Sequence, residues 1–384
     1  PPPPPPAPGA GGRLAASLCA ALRGIPKAGD TILVHLMTRL ITLLLTMITL
    51  SSAQADMLHY AQRFTHHSAL LGETRQYSVS LPQEYEREPG ARFPVLYLLD
   101  GEKSLLEVVG ITRALRAGLN PAIPPLIIVA VHNTDRMRDY TPSHTMTLPN
   151  GAPAGPGYAV TGGGPRFLRY LSEELRPLIE ERFRTQAPAL LVGHSLGGLL
   201  ALDAQAQDGG QFQGVIAIDA SLWFDYPRNY ERIASELTGP LKHASSLFMA
   251  VANNPFTPGF GRSAFHRDRL QQFARQVVGA PGPNLHVTSR YFEEEDHHSV
   301  YHPAVYQGLQ WLFQGYRLDL APGHFSRQGV IARFDALNRH LGSALRPELG
   351  SLRDIREKAA RWPQMAIPVD EADALLAHYY GSKP

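Results

Sequence analysis

A serine flanked by glycines is the feature of the sequence best suited to covalent chemistry. Ser195 stands in a G-x-S-x-G pattern over residues 193–197, after an apolar run at 189–192 and before a small apolar segment at 196–206. That order predicts a strand, a sharp turn and a helix, the setting that exposes a nucleophilic serine at the carboxyl end of a sheet. A plain strand–helix turn with an inert serine is the alternative.

A serine nucleophile needs a base to take its proton. Two histidines, His297 and His298, lie in an acidic segment at 293–299, which follows the last apolar strand at 286–292. We favour His297 as the base. A metal site built from Asp296, His298 and His302 is the alternative, but it lacks the H-E-x-x-H pattern. The sequence therefore predicts no metal and no cofactor.

Two backbone N–H groups are expected to hold the negative charge that develops when a carbonyl is attacked. One belongs to Leu196, the residue after the nucleophile. The other is expected in the loop after the strand at 94–99, where Glu102 is the preferred donor and Gly101 the second. A simple strand-end turn is the alternative for this loop.

The elements that must position these groups alternate between strands and helices. Continuous apolar runs predict strands buried on both faces, at residues 94–99, 126–131, 189–192, 215–218, 247–251 and 286–292. Residues 75–81 alternate instead, which predicts a half-exposed strand at a sheet edge. Helical periodicity separates the runs, so the pattern predicts an α/β fold with a mostly parallel sheet and helices on both faces.

Composition and the two ends of the chain set limits on function. A net charge of +2 argues against a nucleic-acid binder, and the single cysteine excludes a disulfide framework. We interpret residues 1–36 as an unstructured leader and 37–55 as a cleaved signal peptide, with a small-residue site at 53–55. We therefore expect a periplasmic or secreted protein without stable membrane insertion, a hydrolase domain at 56–317 and a helical extension at 318–384.

Six sequence blocks together resemble one known family. They lie at residues 72–77, 97–101, 132–142, 193–198, 221–225 and 296–300. The set is similar to the esterase D-like α/β-hydrolases, in the branch related to esterases that open trilactone siderophores such as enterobactin. The resemblance covers residues 59–317 and implies an α/β-hydrolase fold and serine ester hydrolysis. It maps the family nucleophile onto Ser195 and the base onto His297.

The group that orients His297 is left open. In this fold an acid usually follows the strand that here is 247–251, yet that position holds Asn253 and Asn254. Either Asn254 assists a Ser195–His297 dyad or a carboxylate comes from elsewhere. The carboxylate candidates, in order of preference, are Asp225, Glu294 and Asp268.

The expected partner is a small-molecule ester, and the oligomeric state is left open. Arg136 and Arg138, with Arg262 and Arg267, follow strands and could orient an anionic acyl group, although ordinary surface ion pairs are the alternative. Trp223 could line an apolar pocket or pack in the core. The sequence thus favours an exported serine esterase; the rival is a non-catalytic periplasmic binding or scaffold protein with the same fold.

Overall fold

Eight strands form one mixed sheet in the computed structural model, which describes residues 37–42, 59–207 and 210–381. The strands are β1 Gln62–Ser68, β2 Glu73–Ser80, β3 Phe93–Leu98, β4 Ile127–Val131, β5 Thr185–His194, β6 Gly214–Ile218, β7 Ser245–Ala252 and, after a hairpin of β8 Phe256–Thr257 and β9 Gly261–Arg262, β10 Leu285–Phe292. Their order across the sheet is β1-β2-β4-β3-β5-β6-β7-β10. Strand β2 pairs antiparallel with β1 and β4, and all other neighbours are parallel.

The helices follow the strands in the alternation that the sequence predicts. They are α1 Glu84–Arg87, α2 Gly101–Leu115, α3 Arg136–Asp139, α4 Gly164–Arg169, α5 Arg176–Arg182, α6 Leu196–Ala206, α7 Arg228–Thr238, α8 Phe265–Gly279, α9 Tyr301–Leu312, α10 Arg327–Leu341, α11 Leu349–Arg361 and α12 Val369–Tyr380. A π-helical turn, Tyr170–Leu175, joins α4 to α5. The α/β-hydrolase fold with a helical C-terminal region is therefore confirmed.

Each central strand contributes to two cores, one on either face of the sheet. On β3, Val95 and Tyr97 face one core, whereas Leu96 and Leu98 face the other. All four are buried. This explains the continuous apolar runs, because successive side chains of a strand point to opposite faces.

The C-terminal helices pack into the second of these cores. Phe334 of α10, Leu352 of α11 and Leu375 of α12 are buried in the same cluster as Leu96 and Leu98. The described residues at 59–207 and 210–381 therefore belong to one compact unit. The helices that the sequence sets apart as an extension cover one face of the sheet.

Strand β1 lies at the edge of the sheet, outside β2, which the sequence predicts to be the edge strand. Strand β1 pairs with β2 over its whole length, from Gln62↔Val79 to Ser68↔Glu73, so the prediction of β2 as an edge strand is wrong. The polar sequence of β1, QRFTHHS, hides it from a hydrophobicity pattern because most of its side chains face solvent.

The predicted leader at 1–36 lies outside the described residues, as does the signal segment beyond residue 42. Residues 37–42 are helical. Among the described residues, none of the helices has the length and apolar character needed to cross a bilayer.

Candidate active site

Ser195 occupies a strained turn between β5 and α6. Its φ of 60° and ψ of −118° lie in a region that residues with side chains rarely adopt. The turn is secured on both sides, because Ser195 N–H donates to Ile218 O at 2.9 Å and Ser221 N–H donates to Ser195 O at 3.0 Å. The expected strand–turn–helix arrangement around the serine is present.

Close backbone packing requires two glycines of this turn. A Cβ on Gly193 would lie 2.1 Å from Gly197 O, and one on Gly198 would lie 2.8 Å from Ile218 O. A Cβ on Gly197 would meet nothing closer than Asp100 Oδ2 at 3.4 Å, which is an ordinary contact. The steric requirement therefore falls on Gly193 and Gly198 rather than on Gly197.

His297 is oriented by a carboxylate that the sequence analysis missed. Its Nδ1 lies 2.6 Å from Asp219 Oδ2, and Asp219 is completely buried. Asp219 is the first residue after β6 and has a φ of 40°. Of the two alternatives left open, the geometry favours a carboxylate from elsewhere over a dyad assisted by Asn254, but that carboxylate is Asp219, which lies one strand earlier and was not among the candidates.

The other candidates for the orienting group lie elsewhere. Asn254 donates from Nδ2 to Asp219 Oδ2 at 3.2 Å and so contacts the acid, not the base. Asp225 accepts from Ser143 Oγ at 2.5 Å. Glu294 is exposed, and Asp268 pairs with Arg267 on α8. The signal that could have identified Asp219 is its place directly after an apolar strand at the carboxyl edge of the sheet.

Hydrogen bonds keep Asp219 ionised despite its burial. Burial raises the pKa of this carboxyl, but hydrogen bonds from His266 and His297 outweigh it, so the pKa lies well below its usual range. The backbone N–H of Ala252 also donates, to Asp219 Oδ1 at 3.1 Å. At neutral pH, Asp219 can therefore stabilise a positive charge on His297.

The hydroxyl of Ser195 lies 3.2 Å from Ser221 Oγ. Within the described part of the chain, no hydrogen bond joins Ser195 Oγ to His297. Serine–histidine contacts of this kind are often long until a substrate binds.

The two expected oxyanion donors are both at helix starts. Leu196 is the first residue of α6, and Glu102 is the second residue of α2, directly after Gly101. N–H groups in the first turn of a helix have no intrahelical acceptor and carry partial positive charge. Both are thus available for an oxyanion, and their roles stay a prediction.

His194 holds the loop that carries His297. Its Nε2 lies 2.6 Å from His297 O, and the two rings are in contact, tilted by 39° with centroids 4.5 Å apart. Burial, and to a lesser extent the nearby His297, lower the pKa of His194 to about 4. At neutral pH the ring is therefore uncharged and donates its Nε2–H to the carbonyl.

Arg136 and Arg138 are committed to ion pairs inside the protein. Arg136 donates from Nε to Asp100 Oδ1 at 2.8 Å and from Nη2 to His194 O at 3.1 Å. Arg138 pairs with Glu73 and Asp139. The expectation that they bind substrate is not supported by this geometry; Arg136 instead ties the loop at Asp100 to the serine turn.

The remaining substrate candidates lie at the surface or in the core. Arg262, in β9, is exposed, and Arg267 donates to Asn253 Oδ1 at 2.8 Å. Trp223 is half-buried and packs against Phe224, with ring centroids 6.1 Å apart. Trp223 follows Ser221 closely enough in the chain to remain a candidate for contact with substrate.

Asp219, His266 and His297 form one cluster of donors that could hold a metal among the described residues. The nitrogen-to-oxygen distances, 2.6 Å and 3.1 Å, are hydrogen-bond distances. Zinc with bonds of about 2.0–2.2 Å in tetrahedral geometry separates its ligand atoms by about 3.3 Å. The shorter pair is too close for this, so the cluster fits a hydrogen-bonded network better than a metal site.

Comparison with known proteins agrees with this architecture. The family model Esterase matches residues 68–244. An IroE-like serine hydrolase of known structure from Shewanella oneidensis is 39% identical, with a TM-score of 0.78 and coverage of 83% of this chain and 99% of that chain.

Two curated relatives are named for siderophore esters. Ferri-bacillibactin esterase BesA from Bacillus subtilis (strain 168) is 31% identical over 166 residues, 40% of this chain and 57% of that protein, so the chain spans little more than half of it. Siderophore enterobactin esterase from Emericella nidulans is 27% identical over 247 residues, 56% of this chain and 81% of that protein. From the family match and its solved relative, the chain belongs to the Esterase family of α/β-hydrolases.

Proposed function

We propose that this chain hydrolyses carboxylic esters through an acyl-enzyme on Ser195. One observation carries the proposal: the 2.6 Å contact between His297 Nδ1 and buried Asp219, beside a serine held in a strained strand–helix turn. A buried, ionised carboxylate on the far side of a histidine is the arrangement that lets the ring accept a proton from a serine. A binding protein would have no use for it.

In the first half of the reaction, Ser195 Oγ attacks the ester carbonyl and its proton passes to His297 Nε2. Asp219 stabilises the imidazolium, and the N–H groups of Leu196 and Glu102 stabilise the oxyanion. Collapse of the tetrahedral intermediate breaks the bond to the alcohol oxygen, which leaves with the proton from His297. Loss of one oxyanion donor typically costs about 10²–10³ in kcat.

In the second half, water attacks the acyl-enzyme while His297 again takes a proton. Collapse of the second intermediate releases the carboxylic acid and returns that proton to Ser195. No external oxidant or cofactor enters this sequence of steps. The proton always moves between oxygen and the one nitrogen of His297 that Asp219 leaves free.

The substrate we propose is an ester of siderophore type or another polar acyl ester. The names of the relatives support this class, whereas Arg136 and Arg138, being paired internally, do not contribute to it. We also propose export to the periplasm or the medium, on the strength of the segment at 37–55 alone. An exported protein whose N-terminal residue is Asp56 would support that proposal, and a retained segment would contradict it.

The test of function is turnover of an ester library by the wild-type protein and by Ser195→Ala. The library contains p-nitrophenyl acetate, p-nitrophenyl butyrate and catecholate trilactones. We expect wild-type hydrolysis that falls by at least a thousandfold in Ser195→Ala. Absence of turnover by folded wild-type protein on every ester would favour the non-catalytic binding protein instead.

A further inference from the structure

A second histidine contacts the carboxylate that orients His297. His266 Nε2 lies 3.1 Å from Asp219 Oδ2, the same oxygen that His297 Nδ1 contacts at 2.6 Å. His266 is the second residue of α8 and is 1% exposed. An ionised carboxylate only accepts hydrogen bonds, so both rings must donate to it. This assigns His266 the tautomer with hydrogen on Nε2, and its buried Nδ1 has no partner among the described residues.

The backbone around His266 fixes the direction of its ring. His266 N–H donates to Thr257 Oγ1 at 2.9 Å, and that hydroxyl donates to Ser263 O at 3.1 Å. Thr257 is completely buried in the β8–β9 hairpin. The rings of His266 and His297 meet at 85° with centroids 6.3 Å apart, so they approach one oxygen from different sides.

Asp219 needs such a donor because it is fully buried. Three donors, from His297, Asn254 and the Ala252 N–H, remain on Asp219 when His266 is removed, so the carboxylate stays ionised but is freer to rotate. Such rotation disturbs the direction of the hydrogen bond that orients His297. Asn254 Nδ2, at 3.2 Å from the same oxygen, shares the task but is a neutral amide on a loop.

We propose that His266 is a positioning residue of the esterase site, a fourth member behind Ser195, His297 and Asp219. The inference rests on the proposed function and deepens it. The hydrogen bond from His266 holds Asp219 Oδ2 in the orientation in which it accepts from His297 Nδ1. It also weakens the attraction between the carboxylate and His297, because the same oxygen accepts both hydrogen bonds. It touches neither substrate nor the reacting atoms.

The effect of His266 on the charge that Asp219 presents to His297 predicts the direction in which the pH profile shifts when His266 is removed. Without His266, the charge of Asp219 acts more fully on His297 and favours its protonated form. The acidic limb of the kcat/KM profile then moves to higher pH, by about one unit if one charge-assisted hydrogen bond is lost. Among the described residues, His194 and His298 also face the cluster, with ring centroids 4.5 Å and 5.2 Å from that of His297, and Arg136 contacts His194 O. On α8 itself, Arg267 faces Asn253 and Asp268.

The experiment compares His266→Phe, which removes the donor, with His266→Gln, whose amide nitrogen can occupy the place of Nε2. His286→Phe is the matched control, since His286 is a half-buried histidine that stacks on Trp311 outside the site. Each variant is assayed for kcat and KM across pH on p-nitrophenyl butyrate, with thermal unfolding as a check on folding. The chemical shift of the proton on His297 Nδ1 is followed by proton NMR in the far-downfield region.

We expect kcat to fall roughly 10- to 100-fold in His266→Phe, the range found when a partner that orients a metal-binding histidine is removed. The acidic limb should move upward, and His266→Gln should recover most of both effects. Unchanged kcat and an unchanged limb in folded His266→Phe would overturn the proposal. Equal losses in both variants with an unmoved limb would also overturn it, because they indicate a packing role alone. Should His266→Phe not fold, His266→Asn removes the donor with a shorter polar side chain.

Failure of the proposed function gives a different result. In that case the wild-type protein hydrolyses no ester, and the His297 Nδ1 proton alone decides the inference. A resonance that shifts in His266→Phe but not in His286→Phe would support the positioning role. An identical resonance in all three proteins would contradict it.

Discussion

Four hydrogen-bond donors converge on the buried carboxylate of Asp219. His297, His266 and Asn254 contact Oδ2, and the backbone N–H of Ala252 contacts Oδ1. Without such donors, burial would favour the protonated acid. Folding around this residue therefore supplies the negative charge on which the base depends.

The first prediction at the residue scale concerns Asp219→Asn. The amide cannot stabilise an imidazolium, so we expect kcat to fall by about 10⁴, the loss found when the acid of a serine-protease triad is replaced by its amide. KM should change little. Asp225→Asn is the control, since Asp225 contacts Ser143 and not His297. If Asp225→Asn causes the larger loss while both variants stay folded, the assignment of Asp219 is wrong.

The second prediction concerns acid stability through His194. Its pKa is about 4 in the folded protein and about 6.5 when unfolded, so the unfolded state takes up the proton first as pH falls. The stability that neutral His194 confers is complete above about pH 6.5 and is lost between about pH 6.5 and 4. Its upper bound is about 3 kcal/mol.

Urea unfolding at pH 7 and at pH 4.5 measures this effect. The wild-type protein should lose more free energy of unfolding between the two pH values than His194→Gln does. The depressed pKa of Asp219 affects stability mainly below about pH 4 and does so in both proteins, so the difference between them isolates His194. Equal losses in both proteins would show that His194 is not held neutral by its surroundings.

At the scale of elements, Arg136 connects its own helix α3 to two segments that form the site. It binds Asp100 at the end of β3, where α2 begins, and the carbonyl of His194 at the end of β5. Asp100 has a φ of 53°, so the loop that precedes Glu102 is itself strained. A bidentate guanidinium can hold such a loop better than an ammonium can.

We therefore predict that Arg136→Lys lowers kcat about tenfold, with little change in KM for neutral esters, because the Glu102 N–H loses its fixed position. Arg138→Lys is the matched control, since Arg138 pairs with Glu73 and Asp139 instead. Steady-state kinetics on neutral and anionic esters measure the effect. A rise in KM confined to anionic esters in Arg136→Lys would favour direct substrate binding and contradict the positioning role.

Strands and helices were predictable from the sequence where they are buried on one face or on both. The apolar runs of β3 to β7 and the helix Leu196–Ala206 follow directly from side-chain spacing. Strand β1 was not predictable, because a polar outer strand has no hydrophobic alternation.

Asp219 was missed for a different reason: which strand supplies the acid depends on three-dimensional proximity at the sheet edge. The same applies to His266, which is 31 residues from His297 in sequence and is linked to it by hydrogen bonds through Asp219.

At the scale of the whole molecule, the C-terminal helices complete a core rather than the site. Phe334 is 1% exposed and contacts Tyr316 with ring centroids 5.5 Å apart. The core that it shares includes Leu96 and Leu98 of the central sheet. Stability and catalysis should thus be separable by mutations on this face.

Phe334→Ala should lower the free energy of unfolding by about 3–5 kcal/mol through loss of buried surface and the cavity left behind. The kcat of the folded fraction should stay within about twofold of wild type. Denaturant unfolding and ester turnover at a temperature where the variant is folded test both parts. A large loss of kcat in folded Phe334→Ala would mean that this face also shapes the site.

The most direct test of the central claim is covalent labelling of Ser195. A fluorophosphonate probe reacts with a serine only where a base activates it. We predict one adduct per chain by intact mass, located to Ser195 by peptide mass spectrometry, abolished in Ser195→Ala and strongly slowed in Asp219→Asn. An unlabelled wild-type protein, or an adduct on a residue other than Ser195, would contradict the account.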